Sequence, residues 1–369
     1  MYIHVPFCAS RCGYCDFNTY TPREVETSHA QYLTALRQEL ELAAQSPLSA
    51  NLGPADTVFI GGGTPSVLGA DALNHILQLV KDTFGVAPGA EVTTESNPES
   101  TSRAYFDSLV AGGFTRVSLG MQSASTPVLQ VLDRRHTPGR ATAAAREAHE
   151  AGFAHINLDM IYGTPTETDD DVRATLEAIL STPVDHVSAY SLIVEDGTAM
   201  ARKIHRGELP ATDDDVDARR YELIADTLEA HGLDWYEVSN WAKPGGECRH
   251  NLLYWRGGNW WGAGPGAHST IGDTRFFNVK RPERYAAMLA EGALPIDGTE
   301  TLTAETRHVE QVMLGLRLRE GIARGVVAGG VDKHVHAGTL TAGERIAVTN
   351  KGRLLVDAIV TDLLIQSDA

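Results

Sequence analysis

"YIHVPFCASRCGYCDF", residues 2–17, decides how the rest of the chain is read. Residues 2–5 carry two β-branched side chains and stop at Pro6, the pattern of a short strand. Three cysteines follow on the next loop: Cys8, Cys12 and Cys15, spaced C-x3-C-x2-C. The only other cysteine is Cys248. A structural zinc site wants four ligands, often as two C-x2-C pairs. No second pair exists here, and Cys248 is isolated. Three thiolates on a short loop suit three irons of a cubane cluster, leaving the fourth iron open to a non-protein ligand.

Working outward, five more segments read as strands: 56–63, 90–97, 114–122, 156–163 and 184–192. Helical patterns lie between them. In 28–44, Leu33, Leu36 and Leu40 recur at spacings of three and four, and in 70–81 Leu73, Ile76, Leu77 and Val80 do the same. Segments 102–111, 138–151 and 170–181 complete the alternation. Strand and helix repeated about six times imply a parallel sheet with crossover helices, open or barrel-shaped. Its functional rim is then the C-terminal ends of the strands. Gly61, Gly62, Gly63, Thr64, Glu95, Asn97, Gln122 and Asp159 all fall on that rim.

Composition narrows the partners. The 369 residues carry a formal charge of −17, which argues against nonspecific binding to nucleic acid or to an anionic membrane surface, because both need a basic face. No apolar run reaches 18 residues, so no transmembrane segment is expected. The start lacks the basic and apolar regions of a signal peptide. These features predict a cytoplasmic protein whose thiols stay reduced and serve metal or catalysis.

The second half is different in character. Residues 195–215, "EDGTAMARKIHRGELPATDDD", read as a polar surface connection. Asp213, Asp214 and Asp215 cap the helix over 215–231, and "TETDDD" (166–171) does the same for the helix after it. All five tryptophans lie between Trp235 and Trp261. A helix carrying Val309, Val312, Met313, Leu316 and Leu318 precedes "TNKG" (349–352), read as a turn, and a helical tail. This resembles a small helical or winged-helix-like module. On so acidic a chain it reads as a packing or partner surface, not a DNA reader.

Further stretches sharpen the picture. C-x3-C-x2-C with Tyr14 before the third cysteine resembles the signature of the radical S-adenosylmethionine (SAM) superfamily, and "GGGTPS" (61–66) resembles its glycine motif at the end of the second strand. Together with "ESNPES", "RVSLGMQS", "LDRRHT", "NLDMIYGTPTET" and "YEVSNWAKPGGECRHNLLYW", they resemble the oxygen-independent coproporphyrinogen III oxidase-like family over nearly the whole chain. The resemblance implies an α/β fold: a partial (β/α)6 TIM-like barrel over 1–200, a C-terminal α+β domain over 201–300, and the helical or winged-helix-like module over 301–369. It implies a [4Fe–4S] cluster on Cys8, Cys12 and Cys15. It implies SAM contacts at Tyr2, Tyr14, Gly62, Gly63, Thr64, Glu95, Gln122, Arg134 and Asp159.

Two branches of that family compete. One decarboxylates coproporphyrinogen III. The other consists of haem chaperones, which bind haem and pass it to an apo-haemoprotein. The oxidases carry a further cysteine where this chain has Phe17, and they have an extension ahead of the first strand. "HNLLYW" (250–255) matches the H-N-x-x-Y-W motif of the chaperones. His250 would then offer an imidazole to haem iron, with Tyr254 and Trp255 against the porphyrin face. Cys248 is the alternative thiolate ligand, though it reads first as a buried free thiol. The expectation is a haem chaperone serving a membrane-associated respiratory recipient, with the oxidase as the alternative. Whether the cluster and SAM serve structure, regulation or a slow radical step stays open at this point.

Overall fold

The first six strands form in the order their pattern predicts: β1 (Tyr2–Val5), β2 (Ala55–Gly62), β3 (Val86–Ser96), β4 (Arg116–Gln122), β5 (His155–Tyr162) and β6 (His186–Ser191). The structure is a computed structural model and describes residues 1–134 and 136–365; Arg135 of "LDRRHT" lies outside the described residues. Neighbouring strands pair in parallel from β1 through β6. Each crossover contains a helix: α1 (His29–Ala44), α2 (Ala70–Thr83), α3 (Arg103–Gly112), α4 (Thr126–Val131) with α5 (Arg140–Ala151), and α6 (Asp169–Leu180). Ser28 starts α1 with a capping box shared with Gln31, satisfying two otherwise orphaned N–H groups. Tyr32, Leu36 and Leu40 of α1 are fully buried against the sheet, and each leucine contributes about 2 kcal/mol.

Residues beyond 200 extend this same sheet. β7 (Asp234–Glu237) and β8 (Asn240–Ala242) form an antiparallel hairpin that adds to β6, and β9 (Gly262–Ala263) adds in parallel to β1. The order is β7-β8-β6-β5-β4-β3-β2-β1-β9, an open sheet of nine strands. The segment read as a surface connection contains a helix, α7 (Ala199–His205), capped by Thr198. Its Met200 is buried in a cluster with Val128, Leu132, Ile161 and Leu192, and Ile204 and Leu209 pack against it, so three apolar side chains dock this polar stretch on the strand ends. Asp213 caps α8 (Asp214–Ala230) and Thr168 caps α6, as their sequences imply.

The short helix α9 (Arg249–Trp255) carries "HNLLYW". A three-stranded antiparallel sheet of β10 (His268–Ile271), β11 (Thr274–Asn278) and β12 (Ile296–Thr301) follows, with α10 (Pro282–Ala290) packed on α1. Glu39 of α1 ties this region down. It is 1% exposed and accepts from the Gly264 N–H (2.7 Å), Asn278 Nδ2 (2.6 Å) and the Tyr285 hydroxyl (2.5 Å).

Burial pushes the Glu39 carboxyl up to about 7 despite those three donors. Glu39→Ala strands all three, and we expect a loss of about 3 kcal/mol in urea unfolding near pH 5. The wild-type group binds its proton more tightly folded than unfolded, so its contribution is full below its ordinary value of 4.5 and is lost as pH rises through about 7. The variant's deficit should therefore narrow across that range.

The last module comprises α11 (Ala304–Gly315), a two-stranded ribbon of β13 (Ile322–Ala323) and β14 (Arg345–Ile346), α12 (Val331–His336), α13 (Asn350–Arg353) and α14 (Val356–Ile365). "TNKG" is not a turn: Thr349 caps α13 by accepting from the Gly352 N–H (3.2 Å). Gly352 is required because a Cβ there would sit against the Thr339 carbonyl.

Candidate functional site

The six parallel strands alternate with a period of two. Ile3, Val5, Val58, Ile60, Val92, Val117, Leu119, Ile156, Leu158, Met160, Val187 and Ala189 belong to the apolar core beneath the helices. The opposite face carries Tyr2 and His4; Thr57, Phe59 and Gly61; Glu91, Thr93 and Glu95; Arg116 and Ser118; Asn157 and Asp159; His186, Ser188 and Tyr190. The register sets Glu95 beside Ser118 and Asp159 beside Ser188. On that side Thr57 of β2, Glu91 of β3, Arg116 of β4 and Tyr236 of β7 all reach residues 246–250. The sheet therefore curls, and its polar face is the concave one.

At the C-terminal rim the cysteine loop is pinned from three sides. The Cys8 N–H donates to the Tyr20 carbonyl (3.0 Å), the Gly13 N–H to the Leu132 carbonyl (3.1 Å), and the Met200 N–H to the Gly13 carbonyl (2.9 Å). Tyr14 packs into the apolar cluster under α7. The Thr64 hydroxyl points to Cys8 Sγ (3.6 Å), and Arg134 Nη1 lies 3.3 Å from Cys12 Sγ while its Nη2 donates to the Gly120 carbonyl (3.0 Å). Arg134 Nε is buried and has no partner among the described residues, which leaves a donor for an incoming group.

These features fit the cluster expected from the spacing. Burial raises the Cys8 and Cys15 thiols, so they need a cationic partner to be held as thiolates. Among the described residues no three such donors converge as a single ion requires. A cubane spreads its thiolates over separate irons, so the donor set suits a cluster.

The glycine run lies directly against this loop. Gly62 has φ 115°, and a Cβ on it would meet the His4 ring at 2.6 Å and the Val5 carbonyl at 3.0 Å. A Cβ on Gly63 would meet the Phe7 carbonyl at 2.5 Å and Cys8 Sγ at 3.0 Å. The glycines that the resemblance assigned to SAM make, first of all, a close approach to β1 and the cysteine loop. The Gly62 N–H donates to Glu95 Oε2 (2.9 Å). Burial, then the Asp159 charge, pushes Glu95 up to about 7, so the Gly62 bond is outweighed. Burial raises Asp159 too, against bonds from Ser118 (2.9 Å) and Asn157 (2.6 Å). Gln122 is buried at the end of β4 with φ 68°, a strained conformation for a residue with a side chain.

Tyr2, Tyr14, Gly62, Gly63, Thr64, Glu95, Gln122, Arg134 and Asp159 thus line one end or the wall of the concave face. His250 lies apart from most of them and stacks on Tyr2, ring centroids 6.4 Å apart. It is 1% exposed at the opposite end, where Thr57 Oγ1 meets Nδ1 (2.8 Å) and the Tyr254 hydroxyl meets Nε2 (2.8 Å). The Phe59 ring stacks on it at 5.1 Å. Burial holds its pKa well below the ordinary value, so the ring is neutral. The freely offered imidazole expected from sequence is instead a paired one: to bind iron it must release Tyr254 or Thr57. Tyr2 spans the two ends, close to both Glu95 and Tyr254. Trp255 and Asn251 lie beside Glu237 at the end of β7, whose carboxyl is raised by burial. Cys248 is 3% exposed with its thiol pushed up to about 12 by burial, a buried free thiol.

Sequence reasoning missed the polar chain beneath the rim. Asn157 donates to Ser118 (2.7 Å) and Ser188 (3.0 Å) and meets His186 Nδ1 (2.7 Å), whose Nε2 meets the Tyr236 hydroxyl (2.7 Å). The available signal was polar residues recurring at alternate positions of these strands, interrupted by Phe59 and by glycines, where an apolar face is usual.

Comparison with known proteins agrees with this geometry. Residues 2–179 match the Radical SAM superfamily. The chain is 54% identical to the heme chaperone HemW of Mycobacterium tuberculosis, covering 99% of this chain and 94% of that one. It is 35% identical to HemW of Bacillus subtilis, over 88% of this chain and 84% of the relative. Its fold matches the radical SAM enzyme coproporphyrinogen III oxidase (HemN) of Escherichia coli with a TM-score of 0.82 at 25% identity, covering 98% of this chain and 89% of that one.

Proposed function

Because the chain belongs to the radical SAM superfamily and, within it, to the HemW family, we propose that it binds haem and hands it to apo-haemoproteins. The observation that carries this reading is the seat of α9. It sets His250 and Tyr254 at one end of the concave polar face whose other end bears the three cysteines. Cys8, Cys12 and Cys15 hold a [4Fe–4S] cluster, and the nine residues from Tyr2 to Asp159 named above hold SAM. When bound, the pair supplies an electron and a radical source. Arg134 balances the Cys12 thiolate and keeps one donor for the SAM carboxylate. Glu95 and Asp159, rich in acceptors, receive amino or hydroxyl groups. His250 takes haem iron by exchanging its Tyr254 partner for the metal. The work is cytoplasmic, and the recipient is a membrane-associated respiratory haemoprotein. Among the described residues no helix is long and apolar enough to cross a membrane.

A second reading, oxidative decarboxylation of coproporphyrinogen III, draws on the fold match to the oxidase. Phe17 weighs against it: this side chain, 63% exposed, stands where the oxidases carry a cysteine and can do none of a thiol's polar or redox work. One anaerobically reconstituted sample tests both. We expect hemin to bind with a defined Soret band, His250→Ala to shift that band and weaken binding, and coproporphyrinogen III with SAM and reductant to give no protoporphyrinogen. Catalytic protoporphyrinogen formation would overturn the chaperone reading, and an unshifted Soret band would return His250 to a packing role.

A further inference from the structure

We propose that Glu91, paired with Arg116, is the positioning residue of the "HNLLYW" helix; the proposal rests on the reading that this helix handles haem. Both side chains are nearly sealed from solvent, at 3% and 2% exposure. Glu91 Oε2 accepts from Arg116 Nε (3.0 Å) and the Arg249 N–H (3.1 Å), while Oε1 accepts from the His250 N–H (3.0 Å) and the Cys248 thiol (3.5 Å). The first N–H groups of a helix lack partners inside it, and a nearby side chain usually caps them. Cys248, at the cap position of α9, makes no such bond. A carboxylate more than 150 residues away in sequence does the work instead.

Arg116 supplies the other half of the clamp. Its Nη2 donates to the carbonyls of Gly246 (2.9 Å) and Glu247 (3.1 Å), the two residues leading into the helix. The Cys248 N–H goes to the Tyr236 hydroxyl (3.2 Å). Residues 246–250 therefore hang from β3, β4 and β7 by hydrogen bonds, and the His250 ring is set from β2 through Thr57. Rotation of α9 would break the bond from the His250 N–H to Glu91 and move its ring off Phe59 and Thr57 together. Glu91 and Glu95 share one face of β3, four residues and about 13 Å apart. One strand thus carries both the anchor of the α9 segment and the carboxylate that receives the Gly62 N–H, and their separation is set by the pleat. An ordinary buried ion pair would only hold the sheet; this one spends three of its acceptor contacts on the α9 segment.

The test uses cluster-loaded full-length protein with Glu91→Gln and, as a milder variant, Arg116→Lys, which keeps the charge but loses the fork geometry. Three readouts are taken: amide hydrogen exchange over 246–255, hemin titration by Soret absorbance, and SAM affinity with iron content. We expect at least tenfold faster exchange in 246–255, at least tenfold weaker hemin binding with a shifted Soret band, and SAM affinity and iron content within twofold of wild type. Arg116→Lys should show the same pattern to a smaller degree. Unchanged exchange in 246–255 in both variants would overturn the proposal, as would an unchanged Soret band in Glu91→Gln when His250→Ala does shift it. If exchange quickens while neither Glu91→Gln nor His250→Ala alters the hemin spectrum, the clamp stands as a structural device. The haem reading of the helix, and with it the positioning role, is then what fails.

Discussion

A Cys12→Ser chain, reconstituted anaerobically with iron and sulfide, ends with close to no cluster, whereas the parent chain takes up about four irons and four sulfides. The size of the effect follows from the count of ligands. Each thiolate holds one iron, and removing one of three leaves a cubane on two anchors. Cys12 is also the cysteine whose sulfur faces the Arg134 guanidinium at 3.3 Å, so its loss strands a buried cation as well. Cys248→Ser is the matched control. That thiol lies in the anchor of α9, donating to Glu91, and its removal should leave iron content unchanged. Iron and sulfide analysis with the charge-transfer absorbance reads both variants. Retention of the cluster in Cys12→Ser, or its loss in Cys248→Ser, would reverse the assignment of ligands.

Gly62→Val should weaken SAM binding at least 100-fold in calorimetry on cluster-loaded protein. Two costs add. A β-branched residue at φ 115° carries strain of about 1–3 kcal/mol, and its Cβ would lie 2.6 Å from the His4 ring and 3.0 Å from a β1 carbonyl. The backbone must move, and the Gly62 N–H then leaves Glu95, the carboxylate proposed to receive SAM. Gly53→Ala gives the comparison: its Cβ would meet nothing within 4 Å, and SAM affinity should not change. Equal SAM affinity in Gly62→Val and the parent would remove the glycine run from the site.

Much of this was legible before any coordinates. The six parallel strands and α1, α2, α3, α5 and α6 fall within a few residues of their predicted spans, because apolar period and capping residues are local signals, whereas α4 had no predicted span. The helix at 199–205 and the one begun by Thr349 were not legible. In the first, Met200 finds an apolar cluster that only the folded chain assembles. In the second, Gly352 must face the Thr339 carbonyl, a contact no turn rule anticipates. The polar concave face was half visible. Rim residues such as Glu95 and Asp159 stood out, but Asn157, His186 and Tyr236 gain meaning only as links in one hydrogen-bonded chain.

By itself, the sequence determined which chemistry the chain can carry: three cysteines at C-x3-C-x2-C after a strand, glycines at the next strand's end, and a histidine-aromatic motif far downstream. Those facts depend on residue type and short spacing, which a linear string contains in full. Only the tertiary structure decided where that motif sits and in what state. Strand register places Glu91 and Arg116 on neighbouring strands with the first amides of α9 between them, and it closes both nitrogens of His250 onto Thr57 and Tyr254. The bonds from Thr57 and Glu91 to His250 join residues more than 150 positions apart, although its bond to Tyr254 spans a single helical turn. They follow from sheet curvature and pairing order, which the packing of the whole chain sets and no local pattern encodes.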